Sequence, residues 1–192
     1  MKKRIYFFCL CAALFCSCTT VDKARRFEKD VCMFVMIYDY ANNGVNDVSV
    51  YKDEKEVGVS DIRGRYIIDK GIKPEFNLRF TKKGYEDVGI DVRFDPFTVL
   101  YIKMGTAAQF LHLAEEQADA YRYEQALEYI ERALRIDAER CDVLYFKAVV
   151  LYKMQKFEEA KKVILELKQK QEKNEYVDRL ENKISAEEGN AR

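Results

Sequence analysis

The chain has few of the residues from which most catalytic and metal sites are built. Among 192 residues there are one histidine, His112, two prolines and eight scattered glycines. A single histidine excludes a histidine-rich zinc site, and the scattered glycines form no phosphate-binding loop. Glu115, Glu116 and Asp119 lie close together along one helix, where a solvated face is commoner than a pair of glycosidase acids. The sequence therefore predicts a non-enzymatic protein without a cofactor or metal, and His112 is predicted to lie on a helix surface.

The first eighteen residues have the order of a secretory signal. Basic residues at 2–4 precede an apolar run over residues 5–15, and Cys16, Ser17 and Cys18 follow. A bilayer span needs about 20 apolar residues, and this run is roughly half as long. We therefore expect residues 1–17 to be removed as a signal peptide.

The stretch from Leu14 to Cys18 resembles the lipobox of bacterial lipoproteins, in the relaxed form found in spirochaetes. This resemblance implies that Cys18 carries a diacylglycerol and becomes the mature N-terminus, held in a membrane by several acyl chains. Thr19 after the lipidated cysteine favours location at the outer membrane. The protein could then face either the periplasm or the cell surface. Residues 18–30 form a tether that reaches at most about 40 Å. The alternative is an ordinary signal peptide cut near Ser17.

The charge of the mature chain argues against a nucleic-acid partner. The 33 basic and 33 acidic residues balance, and removal of the signal leaves 30 basic residues without a clustered excess. Cysteine use excludes a disulfide framework, because only Cys32 and Cys141 remain besides Cys18. These two fall in different predicted domains, so a pair of buried free thiols is expected rather than a bridge, although pairing in an oxidising space stays open.

The hydrophobic periodicity changes once, near Gly105. Before it, apolar residues alternate in short runs that are bounded by Gly, Pro, Asn or Asp, as in β-strands. Residues 31–104 are therefore predicted to form a β-sandwich. Seven strands are expected, near 32–38, 48–51, 57–60, 65–68, 76–81, 88–94 and 99–104.

The turns between these strands resemble those of carboxypeptidase regulatory-like domains, and PEGA domains are the nearest competitor. The resemblance implies an antiparallel, transthyretin-like sandwich without catalytic residues. Asn43-Gly44 and Arg63-Gly64 are predicted to supply positive-φ turn positions, and Asp61 is expected to bond its own turn. A ligand-binding role for Asp61, Arg63 and Arg65 is the less favoured alternative. The resemblance is carried by Asp39, Asn42, Asn43, Gly44, Gly58, Val59, Ser60, Asp61, Gly64, Arg65, Tyr66, Lys82, Lys83, Gly84 and Tyr85.

After Gly105 the chain repeats itself with a period of 34 residues. The pairs Ala114/Ala148, Glu124/Glu158, Ala126/Ala160 and Ile130/Ile164 are identical at this offset. Small residues at fixed places in a 34-residue period are the signature of the tetratricopeptide repeat. The segment resembles two such helical hairpins, over 107–140 and 141–170, with a polar capping helix over 174–186 whose apolar stripe is predicted to be Tyr176, Leu180 and Ile184. Since three repeats are usual, we expect the β domain or the cap to supply the missing neighbour.

The resemblance implies a concave face that binds a protein or peptide. Tyr145, Val149 and Tyr152 make an aromatic stripe suited to anchor a partner, and packing of this stripe against the cap or the β domain is the alternative. The favoured function is a lipid-anchored adaptor of the cell envelope. An adhesin or carbohydrate-binding module acting through the sandwich loops is a second hypothesis, and an enzyme a weak third. The candidate partner-binding residues are Leu111, Glu115, Ala118, Asp142, Tyr145, Val149, Tyr152 and Lys153.

Overall fold

A computed structural model describes residues 31–69, 73–170 and 174–190, the side chains of 188–190 excepted. The predicted signal peptide, the predicted lipidation site Cys18 and the predicted tether over 18–30 lie outside these residues. Within them the chain folds as a two-sheet β domain followed by a helical domain.

All seven predicted strands are present, with ends within two residues of those expected. β4, β1 and β7 form one sheet, and β3, β2, β5 and β6 form the other. The strands are β1 Cys32–Tyr38, β2 Ser49–Lys52, β3 Lys55–Val59, β4 Arg65–Asp69, β5 Glu75–Thr81, β6 Val88–Arg93 and β7 Val99–Lys103.

The core of the β domain follows from the alternation along its strands. Every second residue of β1 and β5 is buried, and the inward side chains of the two sheets pack into one apolar cluster. The sandwich is antiparallel except for β7, which pairs parallel to β1. The inward residues of these two strands are Met33, Val35, Ile37, Phe76, Leu78 and Phe80.

The two ends of the sandwich have different neighbours. Val31 leads into β1 at one end, where the loop over 94–98 also lies, because Phe34 in the first half of β1 pairs with Val99 at the start of β7. We call this the entry end. The helical domain continues from β7 at the opposite end, where the Tyr85 turn forms a bridge with Thr106.

One of the two predicted positive-φ glycines is correct. Gly64 has a φ of 74°, and a Cβ there would lie 2.2 Å from the carbonyl oxygen of Ile37. The prediction for Gly44 is wrong, because Asn42 takes the left-handed conformation in that turn, with a φ of 63°. Gly44 is required for a different reason, since a Cβ there would lie 2.3 Å from the carbonyl oxygen of Arg63.

The helices reproduce the 34-residue period at both ends of each hairpin. The first hairpin is α1 Ala107–Asp119 and α2 Tyr123–Ile136, and the second is α3 Cys141–Lys153 and α4 Phe157–Lys170. Even the inter-helix turns match, because Tyr121 and Gln155 both adopt positive φ, 58° and 60°. Thr106 starts the domain with a capping box to Gln109.

A fifth helix, α5 Glu175–Asn190, closes the stack. It docks through Val177, Leu180 and Ile184, which are buried against the second hairpin. Tyr176, predicted to be part of the apolar stripe, is instead 67% exposed, and Val177 takes its place. The 34-residue period accounts for these buried positions. Val177, Leu180 and Ile184 lie one period after Val143, Phe146 and Val150, which pack α3 onto the first hairpin.

Cys32 and Cys141 are both free thiols and half-buried. None of the helices in the described residues has the length and apolarity to cross a membrane.

Candidate partner-binding face of the helical domain

The first helix of each hairpin and the capping helix present equivalent positions on one side of the helical domain. Residues one period apart occupy the same place in successive repeats, so the predicted positions on α1 and α3 continue onto α5. We call this side the concave face. Its three rows are Leu111, Tyr145 and Arg179; Glu115, Val149 and Lys183; and Ala118, Tyr152 and Ala186.

The aromatic stripe of α3 is half-buried. Tyr145, Val149 and Tyr152 pack against the cluster that joins the second hairpin to α5. The Tyr152 hydroxyl donates a hydrogen bond to Glu187 of α5, which raises the pKa of that phenol, and its ring lies 6.2 Å from that of Phe157. The stripe therefore contacts the capping helix on one edge while part of each side chain faces solvent.

The remaining predicted residues differ in how they are held. Leu111 is half-buried against the first hairpin. Glu115 is exposed, with the imidazole Nδ1 of His112 3.9 Å from its carboxylate. Lys153 is exposed at the end of α3, whereas Asp142 accepts hydrogen bonds from the guanidinium of Arg140. Glu115, Asp142 and Lys153 are thus the exposed charges among these predicted residues.

The sequence reasoning missed the basic contribution of α5. Arg179 and Lys183 are exposed and occupy the positions one period after Tyr145 and Val149. The exposed charges in the three rows are therefore acidic on α1 and basic on α5, where Arg179 also pairs with Glu175 of its own helix. The 34-residue offset was sufficient to find these residues, had it been continued past the second repeat.

A cluster of aromatic and charged side chains connects the two domains. The guanidinium of Arg132 donates to both carboxylate oxygens of Glu86, at 2.9 and 2.5 Å, and to the Tyr40 hydroxyl at 2.7 Å. It also stacks over the ring of Phe110 at 4.1 Å, and that ring meets Tyr40 edge-on. The hydrogen bonds that Arg132 donates to Glu86 raise the pKa of the Arg132 guanidinium. We call these four residues the junction cluster.

The charged turn of the sandwich is satisfied by its own residues. One carboxylate oxygen of Asp61 accepts the backbone N–H groups of Arg63 and Arg65, and the other accepts the Arg65 side chain at 2.8 Å. The prediction that Asp61 bonds its own turn is therefore confirmed.

The surface prediction for His112 is also confirmed, since its side chain is 71% exposed. Within the described residues no group of three or more histidine, cysteine, aspartate or glutamate side chains is arranged to hold a metal ion. All buried side-chain nitrogen and oxygen atoms in this part of the chain have hydrogen-bond partners.

The family model of the tetratricopeptide repeat matches residues 117–184. The matched segment has the length of two 34-residue periods and runs from the end of α1 to α5. A search of curated proteins found no match. Fold and family match together define a protein with an N-terminal β domain and a C-terminal helical domain of tetratricopeptide repeats, a module that serves as a scaffold for protein–protein interaction.

Proposed function

We propose that the protein is a lipid-anchored adaptor of the cell envelope that recruits a protein partner to the concave face. The observation that carries the proposal is the aligned set of half-buried rings and exposed charges on α1, α3 and α5. Tyr145 and Val149 offer apolar surface at the centre, and aromatic side chains in such positions are frequent anchors of interfaces.

The distribution of charge on the concave face indicates what kind of partner would fit it. Lys153, Arg179 and Lys183 are exposed and basic, and Glu115 is acidic at the far side. An extended or helical peptide with apolar side chains in its middle and acidic groups at its α5 end fits this pattern. Complementary charge of this kind sets orientation and association rate more than affinity.

The anchor places this face away from the membrane. Cys18 carries the lipid, residues 18–30 form the tether, and the sandwich separates its entry end from the helical domain. The seven residues of β1 alone extend for about 23 Å. The sandwich therefore acts as a rigid spacer between the membrane and the recruited partner.

The test replaces exposed charges, because alanine at Tyr152 would also break its contact with α5. We expect the Lys153→Glu/Lys183→Glu variant to lose recovery of a crosslinked partner in living cells by about tenfold. Crosslinked proteins are identified by mass spectrometry, and circular dichroism checks the fold of each variant. The matched control is Lys162→Glu on α4, an equally exposed lysine outside the three rows.

Equal recovery of every partner from the concave-face variant and the control would overturn the binding face. The anchor is tested separately, by mass spectrometry of the mature N-terminus and by membrane fractionation of a Cys18→Ala variant. An unmodified Cys18 would overturn the lipid anchor while leaving the helical face untouched, whereas release of the Cys18→Ala variant from the membranes would support the anchor.

A further inference from the structure

We propose that the entry end of the sandwich touches the bilayer surface, with Phe97 as the side chain that inserts. This inference rests on the proposed lipid anchor at Cys18. It assigns a second membrane contact that belongs to the folded domain itself.

An apolar patch surrounds the point where the chain enters the sandwich. Phe97 is 96% exposed, the highest value among the large hydrophobic side chains of the described residues. Phe34, Ile67 and Val99 continue the patch, with 45%, 51% and 39% of their surfaces exposed. These three are cross-strand neighbours, because Phe34 pairs with Ile67 on one side and Val99 on the other. Contiguous exposed apolar surface of this kind marks a contact site.

The loop that carries Phe97 is held in one shape. The Asp95 carboxylate accepts the N–H of Phe97 at 2.9 Å and the hydroxyl of Thr98 at 2.6 Å. The N–H of Thr98 bonds the Asp95 carbonyl, and Pro96 fixes its own φ inside the turn. A preformed turn presents the ring with little further ordering, which lowers the cost of binding.

The position of the tether selects a membrane as the occupant. The patch lies at the same end as Val31, where the chain from Cys18 arrives. Residues 18–30 reach at most about 40 Å when fully extended, so a lipid on Cys18 would keep the entry end within that distance of the bilayer. Tethering turns a weak second contact into an intramolecular one and so strengthens it. Phenylalanine is among the residues that interfacial segments bury at the headgroup boundary.

The charges at this end make the contact independent of lipid charge. Glu75 and Arg93 are opposite each other on β5 and β6, and Lys73 and Asp95 flank them. Mixed signs give no electrostatic attraction to an anionic surface, so apolar insertion supplies the contact. Zwitterionic vesicles are therefore a sufficient probe.

The chain contains no tryptophan, so an introduced tryptophan reports on one site alone. We would compare Phe97→Trp with Ile62→Trp, whose site is 86% exposed at the opposite end of the sandwich. The full chain, matured in bacterial cells, is reconstituted into phosphatidylcholine vesicles whose acyl chains carry bromine. We expect fluorescence of the tryptophan at position 97 to move to shorter wavelength and to be quenched several-fold more than that at position 62.

The outcomes distinguish failure of the Phe97 contact from failure of the proposed lipid anchor at Cys18. If the chain floats with the vesicles and Cys18 is acylated, but both tryptophans behave alike, only the proposed insertion of Phe97, which we call the membrane tip, is overturned. If the chain is neither acylated nor vesicle-bound, the anchor fails and the tip fails with it. A shift to shorter wavelength without quenching by bromine indicates contact with protein, such as a second copy, and also overturns the tip.

Discussion

At the scale of the residue, two aspartates fix loops of the sandwich by accepting hydrogen bonds from the residues that follow them. Asp61 accepts from Arg63 and Arg65, and Asp95 accepts from Phe97 and Thr98. Such local bonds satisfy turn amides that no strand can pair. The bonds favour the charged carboxylate in both places, so they lower the pKa of each group.

The Asp61 turn gives a pH prediction. Its hydrogen bond with the Arg65 side chain is the largest cause that lowers the pKa of Asp61 from 3.8 to about 2. Because the pKa in the folded state lies below the ordinary value, the turn is stabilised above pH 3.8, and this contribution is lost as pH falls toward 2. We expect a carboxyl titration followed by nuclear magnetic resonance to place the midpoint near 2.

The Arg65→Ala variant removes that bond and should return the midpoint of Asp61 toward its ordinary value. Asp95 serves as the internal control, because its bonds to Thr98 and Phe97 are untouched by the change. A midpoint that is the same with and without Arg65 would show that the backbone N–H groups alone hold the carboxylate.

At the scale of the element, α5 occupies the place of the first helix of a third repeat. Its inner face repeats the apolar pattern of α3, and its outer positions one period after Leu144, Ala148 and Leu151 are polar. These outer residues are Asp178, Asn182 and Ser185. A helix that is apolar toward the stack and polar toward solvent ends a solenoid without requiring a further neighbour.

Docking of α5 is tested by removing its innermost side chain. Ile184 is fully buried against the second hairpin, so Ile184→Ala should lower the free energy of unfolding in urea by about 2–4 kcal/mol. Asn182→Ala, on the exposed side of the same helix, is the control and should change it by less than about 0.5 kcal/mol. Equal effects from the two variants would mean that α5 contributes no packing to the stack.

Repeated elements were the most predictable part of the chain. The 34-residue offset predicted both hairpins, because residues one period apart occupy equivalent positions in the two hairpins and must satisfy the same packing requirement. The strands followed from the alternation of apolar residues over β2, β5 and β6. The positive φ expected at Gly44 was wrong, since Asn42, two residues earlier, takes the left-handed conformation that asparagine occasionally adopts.

The candidate site was only partly predictable. Periodicity placed Tyr145, Val149 and Tyr152 on one face, but it held no information on how far α5 would cover them. Tyr176 was misplaced for a related reason, because Tyr176 lies four residues before Leu180 and Val177 lies three residues before it, and both spacings put a side chain on the same side of a helix. Only the packing of α5 against α3 decides between the two. The junction cluster joins residues 46 positions apart, Glu86 and Arg132, and no local pattern points to it.

At the scale of the whole molecule, the junction cluster connects the two domains through the side chain of Arg132. The covalent connection is short, from β7 through Gly105 to α1, and a Cβ on Gly105 would lie 2.4 Å from the ring of Phe110. Arg132 then bonds Glu86 and Tyr40 of the β domain while stacking on Phe110 of the helical domain. Under the proposed anchoring, this connection would hold the helical domain in a fixed position relative to the membrane.

The last prediction concerns this coupling. In Arg132→Ala the carboxylate of Glu86, only 16% exposed, loses its closest partner. Charged hydrogen bonds of this kind contribute about 1.5–3 kcal/mol, so we expect a loss of roughly that size. We also expect faster amide hydrogen exchange in α1 and in the Tyr40 loop. Arg135→Ala is the control, because Arg135 is 64% exposed and 3.8 Å from Glu86, a geometry that contributes less than about 1 kcal/mol.

A double-mutant cycle separates the coupling from the cost of an unpaired charge. Replacing Glu86 by glutamine in the Arg132→Ala background removes the stranded carboxylate, so part of the lost stability should return. If exchange in α1 remains fast in that double variant, the arginine itself joins the domains through Phe110 and Tyr40. If exchange returns to that of the wild type, the junction is held by its rings, and the ion pair serves only to neutralise Glu86. Unchanged exchange in Arg132→Ala would show instead that the two domains move independently of this cluster.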